Sequence, residues 1–273
     1  MVFKSIPPGP ALHEFVRNYT LLHLTLDTDQ PAPIKHRPPK PEQGIVFYLK
    51  GHVNLHNLIT GDQQRPATVA LFSHQTDRKI FRVSAEFFMF TIFLRPGILH
   101  RLINVPSTEL KQEYHDAELF FGTEVREVTE QLCNATSFSS MITIIERFLL
   151  PKFSQMKNGT SIDEVANYLL ADPTRFSLDQ IARQACLSPK QFHRRFLERI
   201  GISPKFFSRI TRFNLAYHYK MIHPGVSWSS VAQELCYTDY HHLEKECKEF
   251  TGLTPNDWII QHQASPERIL QLR

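Results

Sequence analysis

The chain has no apolar run long enough to cross a bilayer; even residues 87–94 fall far short of the ~20 required. Its opening, MVFKSIPPGP, puts prolines where a signal peptide needs an apolar helix, so a cytoplasmic location is expected. Only four cysteines occur in 273 residues (Cys133, Cys186, Cys236 and Cys247), and no two form a CxxC pair. That argues against a disulfide framework and a structural zinc site, and suits a reducing compartment. Phosphate-loop, GxSxG and HExxH signatures are missing, which removes the commonest sequence marks of nucleotide, hydrolase and metalloprotease chemistry. The net charge of +4 is too small for a uniformly basic surface, and hence for general packaging of nucleic acid.

The charge that is present is concentrated. Between Ser177 and Lys220 stand nine bases (Arg183, Lys190, Arg194, Arg195, Arg199, Lys205, Arg209, Arg212 and Lys220) against two acids, Asp179 and Glu198, a net +7. From Met221 to Arg273 four bases meet seven acids, a net −3. One segment therefore carries more than the whole excess, as a phosphate-facing surface requires.

Proline divides the chain. Eleven of eighteen prolines precede residue 110, several of them between Pro31 and Pro41. The same half holds strand-length apolar runs at 44–51, 66–72 and 87–94, which predict a small β-sandwich or barrel. Helical spacing begins after Gly97, with Val128, Leu132, Ile142, Ile145 and Phe148 as its apolar face. These patterns give an α+β protein: a β-rich part at 1–150, a linker at 151–160, and an all-helical part at 161–273 opened by a capping box of Ser161 and Glu164.

The helical part repeats itself. Leu178, Ile181, Ala182 and Ala185 form one apolar face, Cys186-Leu187 a turn, and Ser188-Pro189 the start of a second helix with Phe192 and Phe196 on its inner side. About fifty residues on, Trp228, Val231, Ala232 and Leu235 repeat the face, Cys236-Tyr237 the turn, and Leu243 and Cys247 the inner side. Gly201-Ile202-Ser203-Pro204 recurs as Gly252-Leu253-Thr254-Pro255, and Phe207 as Trp258, at an offset of 51. Two short helices joined by such a turn make a helix-turn-helix, whose second helix enters the major groove. Small residues at the crossing (Ala182, Ala232), apolar anchors beneath and long polar side chains above complete the pattern. The candidate DNA-contacting residues are Lys190, Gln191, His193, Arg194, Arg195, Arg199, Arg209 and Arg212, with Tyr240, His241, His242 and Lys245 in the second unit.

Over 161–260 the sequence resembles the DNA-binding domain of the AraC/XylS family of bacterial transcription regulators, through SLDQIARQACLSPKQFHRRF with GISP and VAQELCYTDYHHLEKECKEFTGLTP. The resemblance implies two recognition helices held about one DNA turn apart by a helix around Arg212 and Ala216. It places Lys190, His193 and Arg194, then Tyr240, His241, His242 and Lys245, at base-reading positions. It further implies promoter DNA and RNA polymerase as partners, and activation as the commoner outcome. Residues 93–110 with 116–122 resemble the N-terminal domain of a subset of these regulators, which implies a cupin-like barrel that senses a small-molecule effector or forms a homodimer.

Two departures stand out. Cys186 and Cys236 occupy turn positions where the family has glycine; if left-handed, each costs roughly 1–2 kcal/mol. Glu244 and Glu246 flank Lys245, so the first unit is expected to dominate affinity. Competing readings are a cupin-type metal enzyme with a vestigial helical tail, and a regulator whose N-terminal half only dimerises. His52 and His56, with His36 or His74, invite a metal, but no carboxylate or further histidine falls at a supporting spacing. Neither a metal, a cofactor nor catalysis is expected. Cys133 has no neighbour that would activate it.

Overall fold

The computed structural model describes residues 2–26, 34–110, 112–174 and 178–263. Part of the proline cluster, the side chain of Leu178 and residues 264–273 lie outside these.

The amino-terminal half folds into two antiparallel sheets. The strands are β1 (Val2–Ile6), β2 (Val16–Thr25), β3 (Ile34–Arg37), β4 (Gly44–Lys50), β5 (Val53–Asn57), β6 (Gln63–Gln64), β7 (Val69–Phe72), β8 (Lys79–Val83), β9 (Glu86–Leu94) and β10 (Tyr114–Asp116). One sheet runs β1-β2-β9-β4-β7-β10 and the other β3-β8-β5-β6. Both faces of β4 are covered. Ile45 and Phe47 join the core beneath the helices, whereas Val46 and Tyr48 join the core between the sheets. A strand buried on both sides has no polar face to alternate with, so residues 44–51 read as a continuous apolar run. Gly44 has a separate reason to be small: a Cβ there would lie 1.9 Å from the carbonyl oxygen of Ile92 on β9.

Helices α1 (Ile98–Ile103), α2 (Glu118–Phe121), α3 (Glu124–Cys133) and α4 (Phe138–Ser154) follow. Val125, Val128 and Leu132 of α3, with Met141, Ile145 and Phe148 of α4, close over the larger sheet. Helix α4 continues through Pro151 to Ser154, so the first four residues of the expected linker are helical.

The carboxy-terminal half contains α5 (Ser161–Ala171), α6 (Leu178–Gln184), α7 (Pro189–Ile200), α8 (Pro204–Ile222), α9 (Trp228–Glu234), α10 (Tyr240–Thr251) and α11 (Pro255–Gln263). The cap of α5 sits one residue earlier than its sequence suggests: Thr160 is the N-cap, and its N–H donates to Asp163 Oδ2 at 2.9 Å. Phe192 and Phe196 share a core with Ile162, Phe207 and Phe213. Leu243 packs with Val231 and Ala232, while Cys247 and Phe250 reach the first unit's core. Among the described residues no helix is long and apolar enough to cross a membrane.

Candidate nucleic-acid interface

Each helix-turn-helix turn is a Schellman motif. In the first, Leu187 N–H donates to Ala182 O and Cys186 N–H to Arg183 O, both at 3.0 Å. In the second, Tyr237 N–H reaches Ala232 O at 2.8 Å and Cys236 N–H reaches Gln233 O at 3.1 Å. This geometry needs a left-handed residue just past the helix. Cys186 and Cys236 fill that position at φ 54° and 53°, where glycine would be unstrained. Both cysteines are exposed, so no packing of their side chains compensates the strain.

The recognition helices begin differently. Ser188 caps α7 through a box with Gln191: Gln191 N–H donates to Ser188 Oγ at 3.3 Å, and Ser188 N–H to Gln191 Oε1 at 3.1 Å. The Gln191 amide is therefore engaged by its own helix start. Asp239 caps α10, its Oδ1 accepting His242 N–H at 2.8 Å. Thr238 lengthens the second turn by one residue, which is why the repeat offset changes from 50 at the cysteines to 51 at the caps. Both recognition helices end at left-handed glycines, Gly201 and Gly252.

Lys190, His193, Arg194 and Arg195 all project from α7 as exposed side chains. On α10, His241 and Lys245 are exposed, whereas Tyr240 and His242 are half-buried. His242 leans against Tyr237 edge-on, with Nε2 3.8 Å from Glu246 Oε1. At the offset of 51, His241 stands where Lys190 does, Lys245 where Arg194 does, and Glu244 where His193 does. Glu244 is thus a surface position the residue-type reading passed over; aligning the two units from their caps would have found it. Its carboxylate lies 3.1 Å from Lys248.

Three of the expected phosphate contacts, Arg199, Arg209 and Arg212, are half-buried and paired with carboxylates. Arg199 forms a two-pronged pair with Asp163, at 2.5 and 2.7 Å. Arg209 donates to Glu246 at 2.8 Å and to Glu249 at 2.6 Å. Arg212 donates to the same Glu246 oxygen at 3.1 Å, with its guanidinium 4.1 Å from the centroid of the Tyr237 ring. Lys220 Nζ is occupied by the carbonyls of Pro224 and Val226, at 2.7 and 2.5 Å. Of the nine bases between 177 and 220, five remain exposed: Arg183, Lys190, Arg194, Arg195 and Lys205. Glu246 is likewise no surface acid. It is 2% exposed, and its charge is spent on α8 rather than on the DNA side.

Helix α8 connects the two units and, at 19 residues, spans about 28 Å. Contacts also bind the helical half to the β-rich half. His74 packs edge-on to Phe207 at 5.4 Å, Ser107 Oγ donates to Arg199 O at 2.9 Å, and Asn214 Nδ2 donates to Pro39 O at 3.1 Å. The four histidines that invited a metal are dispersed: His74 lies at this seam, His52 precedes β5, and His36 and His56 flank Ile80 on opposite sides of β8. Among the described residues no group of three or more His, Cys, Asp or Glu side chains is placed to hold a metal ion.

Comparison with known proteins agrees with this geometry. Residues 181–260 match the model of a helix-turn-helix domain, and residues 4–116 match a domain of unknown function (DUF6597). No curated protein matches the chain. Among solved structures, it is similar to unsaturated fatty acid-bound ToxT from Vibrio cholerae: 12% identity, 89% of this chain and 95% of that chain covered, TM-score 0.51. Another ToxT structure from Vibrio cholerae, in a P21 form, gives 10% identity, 95% and 98% coverage and a TM-score of 0.50. At such identities the likeness concerns the fold.

Proposed function

We propose that this chain, a DNA-binding transcription regulator whose residues 181–260 form an AraC-type helix-turn-helix domain, is a cytoplasmic, effector-responsive activator that reads two adjacent major-groove segments. The observation that carries the reading is the pairing of two capped recognition helices on one connecting helix, each with an exposed basic residue at the same position, Arg194 and Lys245. In the first unit Lys190, His193 and Arg194 meet base edges, and Arg194 with a guanine supplies ~1–3 kcal/mol of discrimination. In the second unit His241, Glu244 and Lys245 take the equivalent places, with Tyr240 and His242 beside them. Arg183, Arg195 and Lys205 meet phosphates and fix register. The functional division falls at 155–160: the β-rich part senses or dimerises, and the helical part reads DNA and contacts RNA polymerase.

The effector site of this reading is the cavity of about 80 Å3 between the two sheets. Its walls are mainly apolar, with Leu22, Val46, Phe81 and Phe87 among them, beside Lys35, Arg37, Gln75 and Thr91. Two polar atoms at its wall residues are buried without a partner, Arg37 Nε and Gln75 Oε1. An apolar body carrying a protonated carboxyl would satisfy both, its carbonyl oxygen accepting from Arg37 Nε–H and its O–H donating to Gln75 Oε1. The fatty acid in the ToxT structure supports that chemical class. Ligand action requires unequal affinity for two domain arrangements.

Selection of bound fragments from sheared genomic DNA tests the regulator reading. Enrichment of a few intergenic fragments, with binding that weakens steeply as salt rises, supports it. Recovery of all fragments alike overturns it.

A further inference from the structure

A second and chemically opposite cavity lies at the seam between the two halves of the protein. It measures about 490 Å3. One wall is built by the β5–β6 hairpin, the β7–β8 loop, Leu110, Gln112 and Glu113; the other is Ile200–Ile202, where α7 ends. A molecule bound here would touch the base of the first recognition helix directly.

Among the described lining residues, acids outnumber bases. Of these residues, Asp62, Asp77 and Glu113 face one base, Lys79, which is already bound to Glu113. Among the described residues no arginine lines the cleft. The C-terminal end of α7 adds the partial negative charge of its last carbonyls. An anion would be repelled from such a site and a cation held.

Two wall residues hold buried polar atoms without a partner. Neither ring nitrogen of His74 has a partner, although the residue is only 3% exposed. Oε1 of Glu113 is equally unpaired, on a side chain 7% exposed. Buried polar atoms are paired as a rule, and exceptions need an explanation. A carboxylate oxygen can only accept. Burial keeps His74 neutral, so one of its ring nitrogens is also an acceptor. Glu113 Oε1 and one His74 nitrogen call for N–H donors, while the other His74 nitrogen carries an N–H of its own.

We infer that this interdomain cleft binds a small organic cation with several N–H donors, of the aliphatic diamine or polyamine class, held between the carboxylates of Asp77 and Glu113 and the end of α7. Such a ligand clamps the first recognition helix to the β-rich half, and its effect on DNA affinity is matched by an equal effect of DNA on its own affinity. The site is separate from the cavity between the sheets and does not depend on what that cavity binds.

Calorimetric titration of the full chain without DNA, using putrescine and spermidine, tests the inference; sorbitol and acetate serve as neutral and anionic controls. Saturable binding of at least one amine is expected, weakened at least tenfold in Asp77→Asn and in Glu113→Gln. Asp77→Asn keeps an oxygen for the hydrogen bond from Asn57, so it carries the test if loss of the Lys79 partner unfolds the other variant. Absence of saturable heat with both amines overturns the inference. So does binding undiminished in the variants, or equal binding of sorbitol or acetate.

Discussion

Glu246 on the second recognition helix accepts a hydrogen bond from Arg209 on the connecting helix, 2.8 Å away and 37 residues earlier in the chain. The same oxygen takes Arg212 at 3.1 Å. One buried carboxylate thus fixes how α10 sits on α8, and two bases that look available for phosphate are consumed in doing so. Removing it leaves Arg212 without this counter-charge and Arg209 with Glu249 alone. Glu246→Ala is expected to cost about 3 kcal/mol of stability, the usual penalty for stranding a buried charge. Urea unfolding measures it, and a loss under 1 kcal/mol would show the pair to be solvated.

Arg199 makes a sharp contrast with Arg194. Arg194→Ala is expected to relax sequence preference by ~1–3 kcal/mol at one base pair while leaving unfolding unchanged. Arg199→Ala should lower stability, since Asp163 then loses its partner, and leave the salt dependence of DNA binding as it was. Lys205→Ala should weaken every sequence alike and reduce the salt slope by about one. Anisotropy titrations on specific and random DNA separate the three outcomes.

Cys186 and Cys236 hold a conformation made for glycine. Cys186→Gly and Cys236→Gly should each raise stability by up to ~1 kcal/mol, because relief of left-handed strain slightly exceeds the extra chain entropy. A fall in melting temperature for both would mean that the thiols, or the stiffness of the turns, contribute something the exposed geometry does not reveal.

His74 makes stability depend on pH. Burial above all, then the charge of Arg17, lowers its pKa from 6.5 to about 3, with Glu42 opposing weakly. Its folded pKa lies below the unfolded one, so the unfolded chain binds more protons between these values. The contribution is present above pH 6.5 and fades as pH falls, by about 2 kcal/mol at pH 5. Wild type should therefore lose about that much more than His74→Phe between pH 7.5 and 5. Equal losses would place the titration elsewhere.

The helix-turn-helix units were legible because their signals are local. Ala182 and Ala232, the capping serine at 188 and the glycines at 201 and 252 all act within a few residues of where they stand. The continuous apolar runs likewise marked β4, β7 and β9. Partners remote in the chain were not legible. A count of bases cannot see that Asp163 waits for Arg199, or that Glu246 lies under α8 rather than beside the DNA. Sheet order has the same origin: β2 pairs with β9, some seventy residues away, and no local pattern specifies it.

Footprinting of a selected operator tests the central claim most directly. The account predicts two protected segments about one helical turn apart, with Lys190→Ala and Arg194→Ala together clearing one segment and Lys245→Ala weakening the other. A single protected segment, or loss of both segments together in either variant, would contradict the reading of two units with separate grooves.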